Sequence, residues 1–372
     1  MGMFGKLVLG KYFWLFALGC NLLVMAVLYL KSGINFSNES EKYLAIANRL
    51  NFENYREELR YLWGYSSYIL FLSLFLKLGC SAYFILTLQY VISLAGFYLF
   101  YKFSKQFLNE MYSRICLLVM ATCPVLICWQ LTFYTESLFP ALVMICTYYF
   151  FKSQPGPFSI VLLMVLLFCR PVGVFYVISL GFVLMEQKKI RFARLFLNLS
   201  LPAVFLIVLF FLPLHFDDFA LPVFQGSVIC GFPSFPDSIL LPGSYTLAEI
   251  YTAFLKEHGV MELVKITFQK IITFFTITRP YYSTSHNLVN SLYYVFIIGG
   301  LAGFYRMVSQ KTNALLKTCF SGILTGSVLM VAVIYNEWSE RFLVPLLPFF
   351  MLMTFIFVRD LRARIAIQDI KN

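Results

Sequence analysis

Residues 158–185 read FSIVLLMVLLFCRPVGVFYVISLGFVLM, a long apolar run interrupted by Cys169-Arg170-Pro171-Val172-Gly173. Both halves suit lipid, but an arginine within hydrocarbon costs roughly 3 kcal/mol or more unless it meets a partner. Proline removes a backbone donor and turns the residue before it away from helix. The run therefore predicts two helices with a break at 170–173. Such breaks occur where protein or a wet cavity satisfies the freed backbone groups. The stretch thus points to a helical membrane protein with an irregular, charge-bearing segment.

Reading outward, further apolar runs lie at 12–30, 62–76, 81–101, 115–129, 134–151, 196–213, 264–278, 289–305, 318–335 and 342–358. Many approach the span of about 20 residues that crosses a bilayer. They are continuous rather than alternating, which argues against a transmembrane β-barrel. Hydrophobic residues make up 60% of the chain and charged residues only 13%, a balance a soluble core of this size does not need. The expected fold is all-α: a polytopic transmembrane helical bundle, with residues 1–372 forming one membrane domain and no separate soluble one.

A net charge of +11 would suggest nucleic acid in a soluble protein. Here the cations flank apolar runs, as in Lys188-Lys189, Arg191 and Arg194, or Arg359, Arg362 and Arg364. They read as cytoplasmic anchors, not as a nucleic-acid surface. The nine cysteines are scattered through apolar segments without metal-ligand spacing and read as packing residues. The run from Tyr12 to Leu30 lacks a small-residue cleavage site after it and reads as an uncleaved first helix.

Charge bias places the N-terminus, 102–114, 186–195, 306–317 and the C-terminal cluster inside. Loops 31–61 and 214–262, and the turn at 336–341, then fall outside. This assignment requires 62–76, 158–185 and 264–278 to be short, broken or re-entrant. A plain up-and-down path is the rival, and it would put 130–136 at the opposite end from the first loop. Within loop 31–61, Tyr43, Leu44, Ile46, Ala47 and Leu50 have helical spacing. They predict a juxtamembrane helix starting near Ser40, capped by Ser37 or Asn38 and lying against the bilayer. Thr246 to Lys256 predicts a second short amphipathic helix.

Ionisable residues at the margins of such a bundle are the candidates for chemistry. Glu39 and Glu41, two residues apart, would stand roughly 200° apart on a helix, so one can face a cavity while the other meets solvent. A carboxylate so mounted can act as general base on a hydroxyl acceptor. Arg170 needs a partner, and Glu136 or a bound phosphate would serve. Arg341, at the entrance of the last apolar run, can grip a phosphate with its fork of donors. Arg279, beside Pro280 and Tyr281-Tyr282, is a third candidate for an anionic substrate. Tyr43, Trp63, Tyr65 and Trp338 can stack on sugar faces or serve as an interfacial aromatic belt. His286 and Glu337 lie in the same outer stretches and join them as candidate sugar or acceptor contacts. The three histidines are dispersed, so no metal site is expected. A divalent cation is left open, because no acidic cage calls for one.

These residues resemble the signature positions of the GT-C superfamily of integral-membrane glycosyltransferases, particularly the family of protein O-mannosyltransferases and aminoarabinose transferases. Glu39-Ser40 followed by Tyr43-Leu44 and Ala47 resembles that family's first outer loop, with Glu where the family usually has Asp. Thr135-Glu136 resembles its second acidic position, within a stretch (134–139) that is also similar to GPI mannosyltransferases. Arg170-Pro171-x-Gly173 resembles its Arg-Pro turn, and Arg341-Phe342 through Pro345 and Pro348 resembles its C-terminal signature. The resemblance implies a GT-C-like bundle, an isoprenoid-phosphate sugar donor and an acceptor in an outer-side cavity. Glu39, Glu41 and Glu136 would be the catalytic carboxylates, and Arg341, Arg170 and Arg279 the donor-phosphate contacts.

The short chain favours a lipid-linked saccharide, a cell-envelope glycan or a lipid as acceptor over a peptide. A monomer is expected, with membrane lipids around it, in a bacterial cytoplasmic (inner) membrane and with its site on the periplasmic or extracellular side. The alternatives are a polysaccharide polymerase or ligase using isoprenoid-linked substrates, and a lipid-linked glycan transporter or flippase. Loop 214–262 contains no arginine, which counts against the polymerase reading.

Overall fold

The structure, a computed structural model, describes residues 8–36, 39–51, 53–59, 62–152, 157–187, 213–215, 221–229, 231–238, 244–310, 313–333 and 340–371. The Ser37/Asn38 cap, the 188–194 basic cluster, most of the 196–213 run, Glu337 and Trp338 lie outside the described residues. The described chain is predominantly α-helical. By length and composition, five of its helices can cross a bilayer: Phe13–Ser32, Ala82–Ser104, Thr284–Ser309, Ala314–Val333 and Val344–Ile365. A bent pair, Glu110–Ala121 with Pro124–Leu131, raises this to six if it forms one span. The chain is thus a multi-pass membrane protein by the character of its helices.

The helices used below are α1 (Phe13–Ser32), α2 (Glu39–Arg49), α3 (Ser66–Lys77), α4 (Ala82–Ser104), α5 (Glu110–Ala121), α6 (Thr135–Lys152), α7 (Pro157–Leu167) and α8 (Gly173–Gln187). After them come α9 (Leu247–Phe275), α10 (Thr284–Ser291), α11 (Tyr294–Ser309), α12 (Ala314–Val333) and α13 (Leu347–Lys371). The break expected at 170–173 is found, since α7 ends at Leu167 and α8 begins at Gly173. The run at 115–129, expected to be uninterrupted, is bent by 60°, because Pro124 starts a new helical turn.

The helix expected from Tyr43 to Leu50 is present as α2, and its apolar face meets protein. Ser40, Tyr43, Ile46 and Ala47 are buried, largely against α3. Two short strands, β1 (Pro213–His215) and β2 (Ser244–Thr246), pair in antiparallel fashion. From β2 the chain enters α9 through a capping box between Thr246 and Glu249. The amphipathic segment expected at 246–256 is the first part of this helix, which kinks at Gly259 (φ 80°).

Packing of α11 on α13 depends on small residues. A Cβ on Gly300 would stand 2.7 Å from the Phe350 carbonyl oxygen and 2.8 Å from its Cα. Gly303 meets the Met353 carbonyl in the same way and Gly299 meets the Thr354 side chain, so the two helices approach as closely as small-residue stripes allow. Thr354 secures the contact by donating to the Phe296 carbonyl at 3.0 Å. Gly300→Ala is expected to cost about 1–3 kcal/mol through overpacking. Thermal unfolding in detergent checks this, and Gly19→Ala, where a Cβ meets nothing within 4 Å, is the neutral control.

Candidate functional site: a buried carboxylate–guanidinium cluster

Four segments distant in sequence converge at one end of the bundle. Asn35 N–H donates to the Leu131 carbonyl at 3.0 Å, and Asn35 bridges to Thr132 in parallel fashion. The buried Ser40 hydroxyl accepts from Phe133 N–H at 3.0 Å. The first loop is thereby tied to 131–136, the arrangement expected of the broken-helix path and excluded by the plain up-and-down one. Glu39 and Glu136 each lie in the first turn of a helix, α2 and α6, where the helix dipole favours negative charge.

The third segment is the turn between α7 and α8. Its backbone closes through Gly173 N–H donating to the Arg170 carbonyl at 2.8 Å. Pro171 packs so closely on Gly64 that a Cβ there would meet it at 2.8 Å, and Ser67 N–H donates to the Phe168 carbonyl at 2.9 Å. The Arg-Pro turn is therefore clasped by the turn that carries Trp63 and Tyr65. The fourth segment enters α13 through Glu340, whose φ of 59° is unusual for a non-glycine residue.

Arg341 joins the cluster. Its two Nη atoms donate to Glu39 Oε1 and Oε2 at 2.6 and 2.7 Å, and its Nε donates to Glu136. Arg170 Nη1 lies 3.0 Å from Glu136 Oε1 and also donates to the Arg341 carbonyl at 2.9 Å. Two carboxylates thus balance two guanidinium groups, which is the condition for keeping them out of water. Burial is graded. The Glu136 side chain is fully enclosed, whereas that of Glu39 is 35% exposed. Aromatic rings wall the cluster, with Phe342 4.8 Å from the Arg170 guanidinium and Tyr134 5.7 Å from that of Arg341.

A second ion pair lies beside the first. Arg279 Nε stands 3.5 Å from Glu340 Oε1, and the Tyr282 hydroxyl donates to Glu340 Oε2 at 2.9 Å. Arg279 is further held through Nη1 by the Thr276 carbonyl and hydroxyl, at 2.8 and 2.7 Å. Burial pushes the Glu340 carboxyl up to about 7, against Arg279 and Tyr282, which both favour its charged form. A folded-state value above the unfolded one gives stability that is complete below the ordinary glutamate range and lost as pH rises through about 7. The melting temperature in detergent is expected to fall between about pH 5 and about pH 8 on this account, and Glu340→Gln should remove that component.

The remaining sequence candidates fall as follows. Tyr43 is buried, with its hydroxyl 3.5 Å from Glu39 Oε2 and its ring 5.8 Å from that of Tyr65. Trp63 is 46% exposed at the rim. Glu41 is exposed to solvent, while Glu39 turns inward. All three candidate arginines face carboxylates: Arg341 meets Glu39 and Glu136, Arg170 meets Glu136, and Arg279 meets Glu340. His286 stacks on Tyr282 with ring centroids 3.9 Å apart.

Glu340, Tyr134, Ser40 and Tyr282 were given no role in the sequence reading. Ser40 and Tyr134 lie within motifs the sequence reading quotes and Tyr282 beside Arg279, while Glu340 shows there as an acid directly preceding Arg341 in a polar turn. No family model, curated protein or solved structure matches this chain.

Proposed function

We propose that this chain is a GT-C-type glycosyltransferase that moves a sugar from an isoprenoid-phosphate donor to a hydroxyl of a lipid-linked or cell-envelope acceptor on the outer face of the membrane. The observation that carries this reading is the asymmetry of the two carboxylates on Arg341. One is sealed behind the guanidinium, and the other stands partly exposed at its front. The GT-C resemblance adds support, because its four motifs supply the members of one ionic cluster.

The cluster suits an exchange of anions. A phosphodiester reaching Arg341 competes with Glu39 for the two Nη atoms, while Glu136 keeps the guanidinium oriented from behind. Glu39, released, takes the proton of the acceptor hydroxyl. The acceptor oxygen bonds to the sugar's anomeric carbon as the bond from that carbon to the phosphate oxygen breaks, and the electron pair leaves with the isoprenoid phosphate. Arg341, with Arg170 behind it, stabilises the charge that develops on that phosphate. Tyr43, which meets Glu39, Tyr65, whose ring meets that of Tyr43, and the exposed Trp63 are assigned to the sugar.

The test is transfer from a panel of isoprenoid-phosphate sugars in membranes containing the full chain. A new glycosidic product that requires the chain supports the reading. Translocation of a labelled lipid-linked sugar with no product from any donor would reject it in favour of a transporter.

A further inference from the structure

Four rings extend from the second ion pair towards solvent. Tyr282, whose hydroxyl is bonded to Glu340, stacks on His286 at 3.9 Å with an interplanar angle of 14°. Its other neighbour is Tyr281, which meets it edge-on at 4.9 Å. Tyr281 in turn lies nearly parallel to Phe232, at 5.9 Å and 8°. The outer pair is open, with Phe232 56% and Tyr281 39% exposed.

Such rings at a membrane margin ordinarily serve as lipid anchors. Three features set these apart. They are held in place, because Asn287 pins the chain before them, accepting from Arg279 N–H at 2.9 Å and donating to the Arg279 carbonyl at 2.8 Å. Hydroxyls border them: Ser283 and Ser285 are exposed, with oxygens 3.1 Å apart, and Ser283 accepts from His286 N–H. They are also continuous with the ionic cluster, since Glu340, which anchors Tyr282, directly precedes Arg341.

We propose that Phe232, Tyr281, Tyr282 and His286 form a saccharide platform that receives a pyranose ring of the acceptor. This rests on the transferase reading above and gives it an acceptor class, a glycan rather than a bare lipid. A pyranose presents a face of C–H groups, rimmed by hydroxyls. The C–H face matches an exposed ring's negative π surface, and the rim meets the serine hydroxyls and the imidazole. The Tyr282–Glu340 bond fixes the platform relative to Arg341, so a sugar seated there is indexed to the reacting end.

The test is saturation-transfer difference NMR on the full chain in lipid nanodiscs. The probes are methyl glycosides of glucose, galactose, mannose and N-acetylglucosamine. Saturation should reach the ring protons of at least one glycoside and fall about fivefold or more in Phe232→Ala and Tyr281→Ala, at unchanged melting temperature. No saturation of any glycoside by the wild type would overturn the platform, as would equal saturation by both variants. A drop in brominated-lipid quenching of tyrosine fluorescence in Tyr281→Ala relative to wild type, unaffected by the glycosides, would make the rings a lipid anchor and likewise overturn it. The two readings fail separately. Glycoside binding without transfer from any donor retains the platform and removes the transferase, whereas transfer with unaltered binding in both variants does the reverse.

Discussion

Glu39→Gln is expected to lower sugar transfer by about 10²- to 10⁴-fold, the range a general base contributes, with little loss of folded protein. The substitution preserves the length of the side chain and leaves an oxygen that can accept from Arg341. Glu136 then serves both Arg341 and Arg170, and the excess positive charge falls on the Glu39 side of Arg341, where the cluster is partly open. The exposure of Glu39 further softens the structural effect. Glu41→Gln should behave as wild type, because Glu41 faces solvent. Transfer rates and melting curves of both variants check this pair of outcomes. Full activity in Glu39→Gln would remove Glu39 as the base.

Glu136→Ala should act mainly on folding, and strongly. It would leave Arg170 buried without its carboxylate and reduce Arg341 to the partly exposed Glu39. Breaking a buried pair from one side typically costs about 3–5 kcal/mol, because the remaining charge has lost both water and partner. That is a large share of the roughly 5–15 kcal/mol by which proteins are stable, so the yield of folded protein should drop sharply. The double substitution Glu136→Leu with Arg170→Met removes both buried charges and should recover part of the loss. A double-mutant cycle on melting temperatures reads the coupling directly. Additive losses across the cycle would show that the two residues do not act as a pair. The two carboxylates on Arg341 are therefore expected to separate: replacing Glu39 should change the rate, and replacing Glu136 the yield.

Local patterns carried much of the fold. The Arg170-Pro171 interruption ends one helix and begins the next, because proline denies the backbone a donor and restricts the residue before it. The stripe from Tyr43 to Leu50 identified α2, because helical periodicity depends only on neighbours three and four residues away. The bend at Pro124 obeys the same proline rule but falls within the apolar run 115–129, where hydropathy alone shows no break. The close approach of α11 to α13 at Gly300 and Gly303 left no trace in hydropathy, because glycines at a helix contact act through the partner's backbone.

By itself the sequence determined that this is a multi-pass helical membrane protein, where its longest apolar run breaks, and which few charges would need partners. Those properties follow from the cost of placing each side chain and each backbone group in hydrocarbon, a cost that depends on nearby residues alone. Only the tertiary structure decided the pairing. It set Glu39 and Glu136 on different nitrogens of Arg341, gave Glu340 to Arg279, packed α2 on protein, and left Glu41 exposed. Glu39 and Arg341 are separated by 302 positions, and nothing in the local pattern of either distinguishes this partner from any other. Ion pairs act over a few ångströms, so their partners are chosen by whichever segments the packing of helices brings together.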